Sequence, residues 1–116
     1  MIAKKHRLKR NEISYTQKKG LQTTSRFFIV RFSKNLEIFY KYCVIISRKI
    51  DNKATVRNKL KRQIFEIIRT SNTENIKKGL NIILIPKKEI LNQSFNDIQK
   101  DINELLLKLS QKKWES

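Results

Sequence analysis

The residues Lys53-Ala54-Thr55-Val56-Arg57-Asn58-Lys59-Leu60-Lys61-Arg62-Gln63-Ile64-Phe65-Glu66-Ile67-Ile68-Arg69 decide the fold. At about 100° per residue, Val56, Leu60, Ile64 and Ile67 fall within one narrow sector, as in an amphipathic helix laid on a core. Arg57, Asn58, Lys61, Arg62 and Arg69 spread over a broad sector beside and opposite it, with Phe65 in its middle. Lys59, Gln63 and Glu66 fill the remaining edge.

Working outward, Arg26-Phe27-Phe28-Ile29-Val30-Arg31-Phe32 is aromatic and β-branched and reads as a strand, with Phe28, Val30 and Phe32 on one face. Ser33-Lys34-Asn35 reads as a turn, and residues 36–47 as a long strand with Val44, Ile45 and Ile46 buried. Beyond the helix, residues 72–79 form a polar connection. Leu80-Asn81-Ile82-Ile83-Leu84-Ile85 reads as a buried strand stopped by Pro86. Ser94 caps a last helix with Asp97 three residues later. Its apolar stripe is Phe95, Ile98, Ile102, Leu105, Leu106 and Leu109, and Lys108, Lys112 and Lys113 complement its dipole. At the start, residues 1–10 form a basic arm and 11–19 a short helix with Asn11 as N-cap and Gly20 closing it. With 116 residues, 2 Gly and 1 Pro, the chain reads as one domain. Its order of helix, strands, helix, strand, helix implies a two-layer α/β sandwich.

Charge divides the chain. Residues 1–62 hold 18 of the 27 Lys and Arg residues but 3 of the 10 acids, so nearly all of the +17 net charge lies before Gln63. Self-repulsion of this size destabilises a compact chain unless a polyanion offsets it. A solubilising charge would spread over both halves, whereas a concentrated one points to a phosphate-binding face. An anionic membrane surface would call for spare Trp, Phe or Leu beside the cations, and the core needs those residues. No apolar run reaches bilayer length, and the basic start lacks the apolar segment of a secretory signal. The single Cys43 excludes an internal disulfide, suits a reducing, cytoplasmic setting, and reads as a small buried hydrophobe.

Solvated helix faces usually mix signs so that Glu and Lys pair. Here Arg57, Lys59, Lys61 and Arg62 have only Glu66 nearby, so something outside the fold is expected to compensate them. Arg grips a phosphate with two parallel hydrogen bonds and Lys acts as a point charge. Asn58 can donate and accept toward a base edge or a 2′-hydroxyl. Phe65 either stacks on a base or sugar or rolls into the core, and the core is the preferred reading. No catalytic constellation accompanies this face. His6 reads as a solvated residue of a mobile arm. There is no Cys/His cluster for zinc, no Gly-rich phosphate loop and no nucleophile motif. Asp97 and Asp101, one turn apart, are read as capping and dipole compensation rather than a metal site.

These motifs carry a resemblance. Residues 54–62, Ala-Thr-Val-Arg-Asn-Lys-Leu-Lys-Arg, resemble the Arg-Asn-Arg motif helix of the bacterial ribonuclease P protein subunit. Ile45-Ile46-Ser47-Arg48-Lys49-Ile50 resembles that family's strand end before the helix. Arg7-Leu8-Lys9-Arg10-Asn11-Glu12 resembles its opening segment, and Lys18-Lys19-Gly20, Ser25-Arg26-Phe27-Phe28, residues 81–86 and Ser94-Phe95 follow in order. The resemblance implies an α+β fold: a compact two-layer α/β sandwich with a small mixed four-stranded sheet, three helices and a left-handed β-α-β crossover, as in a small-subunit ribosomal protein domain. Handedness rules would not predict that crossover.

The resemblance also implies the partners, namely the catalytic RNA subunit of ribonuclease P and the 5′ leader of precursor tRNA, with one protein monomer per RNA. Mg²⁺ is then required by the RNA-containing holoenzyme, none being assigned to the protein, and the RNA carries the hydrolysis. Arg57, Asn58, Lys61 and Arg62 match the motif; Lys59 stands for its second Arg and keeps the charge without the planar fork. Lys53, Arg69, Arg48 and Lys49 extend the RNA-binding set, and Arg7, Lys9 and Arg10 the basic arm. For the leader cleft the family has two aromatic residues four apart in the first helix. Here Tyr15 or Ile13 takes their place, in a helix one residue short. Phe28 is either a cleft wall or a core residue, and Arg31 is assigned to a leader phosphate. The competing readings are a ribosomal or other RNA-binding module, a protein-only nuclease and a DNA-binding regulator; the last lacks helix-turn-helix spacing.

Overall fold

The computed structural model describes residues 6–36, 40–71 and 79–111. Helix α1 (Arg10–Lys19) leads into strands β1 (Leu21–Thr24), β2 (Phe28–Lys34) and β3 (Lys41–Val44). Helix α2 (Ala54–Thr70), strand β4 (Leu80–Pro86), a short 3-10 turn (Lys88–Ile90) and helix α3 (Phe95–Gln111) follow. The four strands lie in the order β1-β2-β4-β3. The β1–β2 and β2–β4 pairs are antiparallel and β3–β4 is parallel. Chain order therefore places α2 as the crossover between two neighbouring parallel strands, which an antiparallel hairpin could not join.

Strand alternation assigns the two faces. Phe28, Val30 and Phe32 of β2 pair with Pro86, Leu84 and Ile82 of β4. Together with Tyr42 and Val44 of β3 they form the inner face. Leu60, Ile64, Ile67 and Ile68 of α2 and Ile98, Ile102, Leu105, Leu106 and Leu109 of α3 cover it. The register puts Ile29, Arg31 and Ser33 on the outer face with Ile85, Ile83 and Asn81, and Cys43 and Lys41 beside them. Helix α1 crosses one end of that face: the Thr16 hydroxyl lies 2.8 Å from that of Ser33, and Lys41 donates to Glu12 at 2.9 Å.

Several boundaries differ from the sequence reading, each for a physical reason. Helix α1 starts one residue earlier, because Glu12 reaches back to accept from the Lys9 amide at 2.9 Å. Asn11 is thus inside the helix and not its cap. Gly20 does close α1, with an extended backbone (φ −73°), so space is what requires glycine. A Cβ there would meet the carbonyl oxygens of Thr16 at 2.4 Å and Phe32 at 2.7 Å.

Strand β1, Leu-Gln-Thr-Thr, is polar and exposed on an edge and carries no alternation signal. Strand β2 begins two residues later than its aromatic run, because the amides of Arg26 and Phe27 donate to the Asp101 carboxylate instead. Ser33 and Lys34 stay in β2, paired with Asn81 and Leu80, and are not a turn. The expected long strand over 36–47 contracts to Lys41–Val44; Leu36 is fully exposed, and 37–39 lie outside the described residues. The connection at 72–78 and Lys112 and Lys113 also lie outside them. Phe95 at the head of α3 is exposed rather than part of the core stripe. Ser94 does cap α3, accepting from the Asp97 amide at 3.1 Å.

Candidate nucleic-acid interface

The cationic flank of α2 is built by the spacing that buries its other side. Leu60 and Ile64 are sunk in the core, so Asn58, Lys61 and Arg62 face outward and are exposed. Lys59 is exposed on the opposite edge. The ion pairs among the described residues are Lys41–Glu12 and Arg69–Glu66. Glu66, the one acid of the helix, is taken by Arg69, whose Nε donates at 3.1 Å. That hydrogen bond first, with the nearby guanidinium charge, lowers the Glu66 pKa and raises that of Arg69. Arg57, Lys59, Lys61 and Arg62 therefore have no acidic partner among the described residues. Arg69 differs from the expectation, because its charge is offset within the helix.

Arg57 also departs from the simple reading. It lies next to the buried sector and is half-buried, and its Nη1 donates to the carbonyls of Asp51 at 2.9 Å and Asn52 at 3.0 Å. The Asp51 side chain in turn accepts from the Lys53 amide at 2.8 Å. These bonds fix the lead-in to α2, on which Lys53, Arg48 and Lys49 are all exposed. Ile50 anchors that lead-in in the core.

From His6 onward the arm is tied to the sheet, which its composition did not suggest; residues 1–5 lie outside the described residues. Arg7 bridges to Tyr42 in parallel register, and the Leu8 amide donates to the Tyr42 carbonyl at 3.2 Å, so these residues extend the sheet beyond β3. His6 is held by a ring nitrogen 2.7 Å from the Tyr40 carbonyl and is not a mobile, solvated residue. Arg7, Lys9 and Arg10 remain exposed. Between arm, β3 and α2 runs a groove of about 410 Å³. Its floor is Leu8, Tyr42, Val44 and Phe65, and its rim includes Asn58, Lys61 and Arg62. Phe65 is both core and groove: it packs against the buried cluster, while the Lys61 ammonium lies 5.8 Å from its ring centroid.

The outer face of the sheet provides a second surface. Ile29, Arg31, Cys43, Ile45 and Ile85 are half-buried there, next to the end that α1 covers. Burial raises the Cys43 thiol pKa, only partly opposed by Lys61, which leaves it the weakly polar hydrophobe expected. Phe28 points the other way: at 0% exposure it sits in the inner core and walls no open cleft. Ile13 and Tyr15, two positions apart, lie about 200° apart on α1. Ile13 is half-buried, while Tyr15 is 59% exposed on the opposite flank. Arg31 reaches across to α1, donating to the Gln17 carbonyl at 2.7 Å. The pair four residues apart on that flank is Ile13 and Gln17. Gln17, a polar residue at the end of a basic helix, carries no signal in a single sequence.

Asp101 is not a solvent-side charge. It is buried and accepts from the Ser25 hydroxyl at 2.8 Å and from the amides of Arg26 at 3.1 Å and Phe27 at 2.9 Å. The carboxylate is thereby consumed in stapling α3 to the start of β2.

A cationic helix on one side of a small mixed sheet, and a half-apolar shelf on the other, define a basic α+β domain of the RNA-binding kind. Comparison with known proteins makes that specific. The Ribonuclease P family model matches residues 2–110. A "Ribonuclease P protein component" from Rickettsia canadensis is 32% identical over 106 residues, covering 84% of this chain and 90% of the relative. Among solved structures, an RNase P protein from Thermotoga maritima superposes with TM-score 0.79 at 33% identity, covering 88% of this chain and 96% of that one. One from Staphylococcus aureus gives 0.70 at 28% identity, covering 99% of each. The chain belongs to the ribonuclease P protein family, the protein component of the tRNA-processing enzyme.

Proposed function

We propose that this protein binds the RNA subunit of ribonuclease P through the cationic flank of α2 and holds the 5′ leader of precursor tRNA on the outer shelf of the sheet. One observation carries the reading: in a helix whose only acid is already paired, Lys59, Lys61 and Arg62 project without an acidic partner among the described residues. Lys53, Arg48, Lys49 and the arm continue that surface. Phosphates would compensate these charges, and each phosphate contact releases counterions from the RNA.

At the shelf, half-buried Ile13 lies on the flank of α1 whose Gln17 carbonyl accepts from Arg31. The Arg31 guanidinium is partly committed to Gln17, so it braces the cleft and keeps its remaining donors for a leader phosphate. With Ile13 and Gln17 where aromatics are usual, stacking on the leader is weaker here and backbone contact weighs more.

The protein's share of the reaction is binding and positioning. Of the groups singled out in the sequence, a His6 ring nitrogen is held at the Tyr40 carbonyl and Asp101 is taken up by the start of β2. In this reading hydrolysis belongs to the RNA subunit with its Mg²⁺. The chain's cations lower the cost of crowding leader and RNA together, and one monomer serves one RNA. Reconstitution tests this: protein, ribonuclease P RNA and precursor tRNA at low Mg²⁺ should give 5′ maturation that RNA alone does not. Cleavage by the protein without RNA, or RNA binding without any gain in maturation, would overturn it.

A further inference from the structure

The groove between arm, β3 edge and α2 has a chemistry that phosphate binding alone does not use. Its cations stand at the rim, and its floor is apolar, with the partly buried ring of Phe65 in it. At about 410 Å³ it lies within the span of roughly 300–1,000 Å³ typical of small-ligand sites.

We infer that this groove is a base slot that receives one unstacked nucleotide of the ribonuclease P RNA. The base enters between Leu8 and Phe65, and its phosphate stays at the rim with Lys61 and Arg62. The inference rests on the proposed RNA-binding role of α2 and adds a base-directed contact to it.

Three features support the slot. Nucleobases have polar edges and apolar faces, and they stack on aromatic rings without needing a particular sequence. A floor of Leu8, Tyr42, Val44 and Phe65 under a cationic rim matches that polarity in the same order, base down and phosphate up. The Lys61 ammonium lies 5.8 Å from the Phe65 centroid, near the outer limit of about 6 Å for a cation–π contact. It can leave the ring for a phosphate when a base arrives. Asn58, exposed at the mouth, can both donate to and accept from a base edge. The leader is not taken as the occupant, because its proposed shelf lies against α1 and Arg31 and meets the groove at Cys43 alone.

The test titrates the whole protein against ribonuclease P RNA, without precursor tRNA, at several salt concentrations. Phe65→Leu keeps aliphatic bulk and removes the stacking surface; Leu8→Trp fills the slot. Each should weaken binding by roughly five- to tenfold at every salt concentration, the size of one lost base–aromatic stack, and leave the slope against log salt unchanged. Base-edge probes covering all four bases should find a nucleotide protected by the wild-type protein and reactive again with Leu8→Trp. Asn58→Ala, at an exposed position, supplies the same readout should a groove variant fold poorly.

Affinity within twofold of wild type together with an unchanged protection pattern would overturn the slot. So would groove variants that bind the RNA subunit normally but, in a parallel titration, bind precursor tRNA more weakly, or an acidic peptide that competes at Leu8 while RNA does not. Arg62→Ala separates this from the underlying reading. If it lowers the salt slope while the groove variants do nothing, the slot alone falls; if it leaves the slope unchanged, the RNA-binding reading of α2 falls first.

Discussion

Helices α2 and α3 have the same length, 17 residues, and lie side by side on the same inner sheet face, yet they spend their charges differently. On α3, Asp97, Lys100, Glu104 and Lys108 alternate in sign, and its remaining acid, Asp101, turns inward to hold the start of β2. On α2, Arg57, Lys59, Lys61, Arg62 and Arg69 face a single Glu66. Both helices bury an equivalent apolar stripe, so folding explains the stripes and not the difference. The excess on α2 is a cost to the isolated protein, and it makes sense only toward a polyanion. Charge on α3 serves the fold; on α2, Arg57 and Arg69 also find partners within the fold, and it is Lys59, Lys61 and Arg62 that are proposed to serve a partner.

The largest effect expected from breaking this division is at Asp101. Replacing it with Ala leaves the buried Phe27 amide and the partly buried Ser25 hydroxyl and Arg26 amide without their acceptor. At about 1–3 kcal/mol for a buried unsatisfied group, and less for the two that water can reach, urea unfolding should show a loss of about 3 kcal/mol. The salt slope of RNA binding, measured where the variant remains folded, should not move. A loss below about 1 kcal/mol, or an altered slope, would mean that α3 is not the purely structural partner.

A finer contrast lies within α2, between Arg57 and Arg62. Arg57 donates to two carbonyls of the lead-in, whereas Arg62 is exposed. Arg57→Ala should cost about 2 kcal/mol of stability, as for hydrogen bonds from a charged group. Arg62→Ala should stay within about 0.5 kcal/mol but reduce the RNA salt slope by roughly one unit per lost phosphate contact. Paired thermal melts and salt-dependent titrations separate the two. Identical behaviour of both variants in both measurements would erase the distinction.

This contrast also shows where reading a sequence stops. The 3.6-residue period of Val56, Leu60, Ile64 and Ile67 is enforced by burial, and it was enough to place the helix and its cationic side. The parity of Phe28, Val30 and Phe32 was equally legible, because one face of a strand must be apolar when two helices cover it. Parity alone could not say whether that face was core or cleft, and for Phe28 it is core. Strand β1 was invisible, since an exposed edge of Gln and Thr needs no pattern. The jobs of Arg57 and Asp101 were hidden for another reason. Each depends on a partner brought close by the chain's path, and for Asp101 that partner is more than 70 residues away. The shelf proposed for the leader was the least legible. Its lining comes from three strands and one flank of α1, and a missing residue shifts which flank that is.

The smallest effect concerns a cation that the fold does neutralise, and so serves as the control for those that it does not. Lys41 donates to Glu12 at 2.9 Å, and both side chains are mostly shielded. Burial by itself would raise the Glu12 pKa, but the Lys9 amide and the Lys41 ammonium together outweigh it and hold the carboxyl below its ordinary value. A carboxylate with a depressed folded pKa stabilises the protein above its unfolded value of about 4.3, and the gain is lost as pH falls through the folded value. Glu12→Gln should therefore cost about 1 kcal/mol near neutral pH, from the weakened helix cap and ion pair together. Wild type and variant should then converge in urea unfolding as pH drops below about 4. A gap that persists in acid would assign the effect to shape rather than charge. The RNA salt slope of Glu12→Gln then decides whether the released Lys41 joins the RNA-facing set. Because Lys41 lies on the outer face, away from α2, the slope is expected to hold, and a rise by one unit would extend the binding surface around the β3 edge.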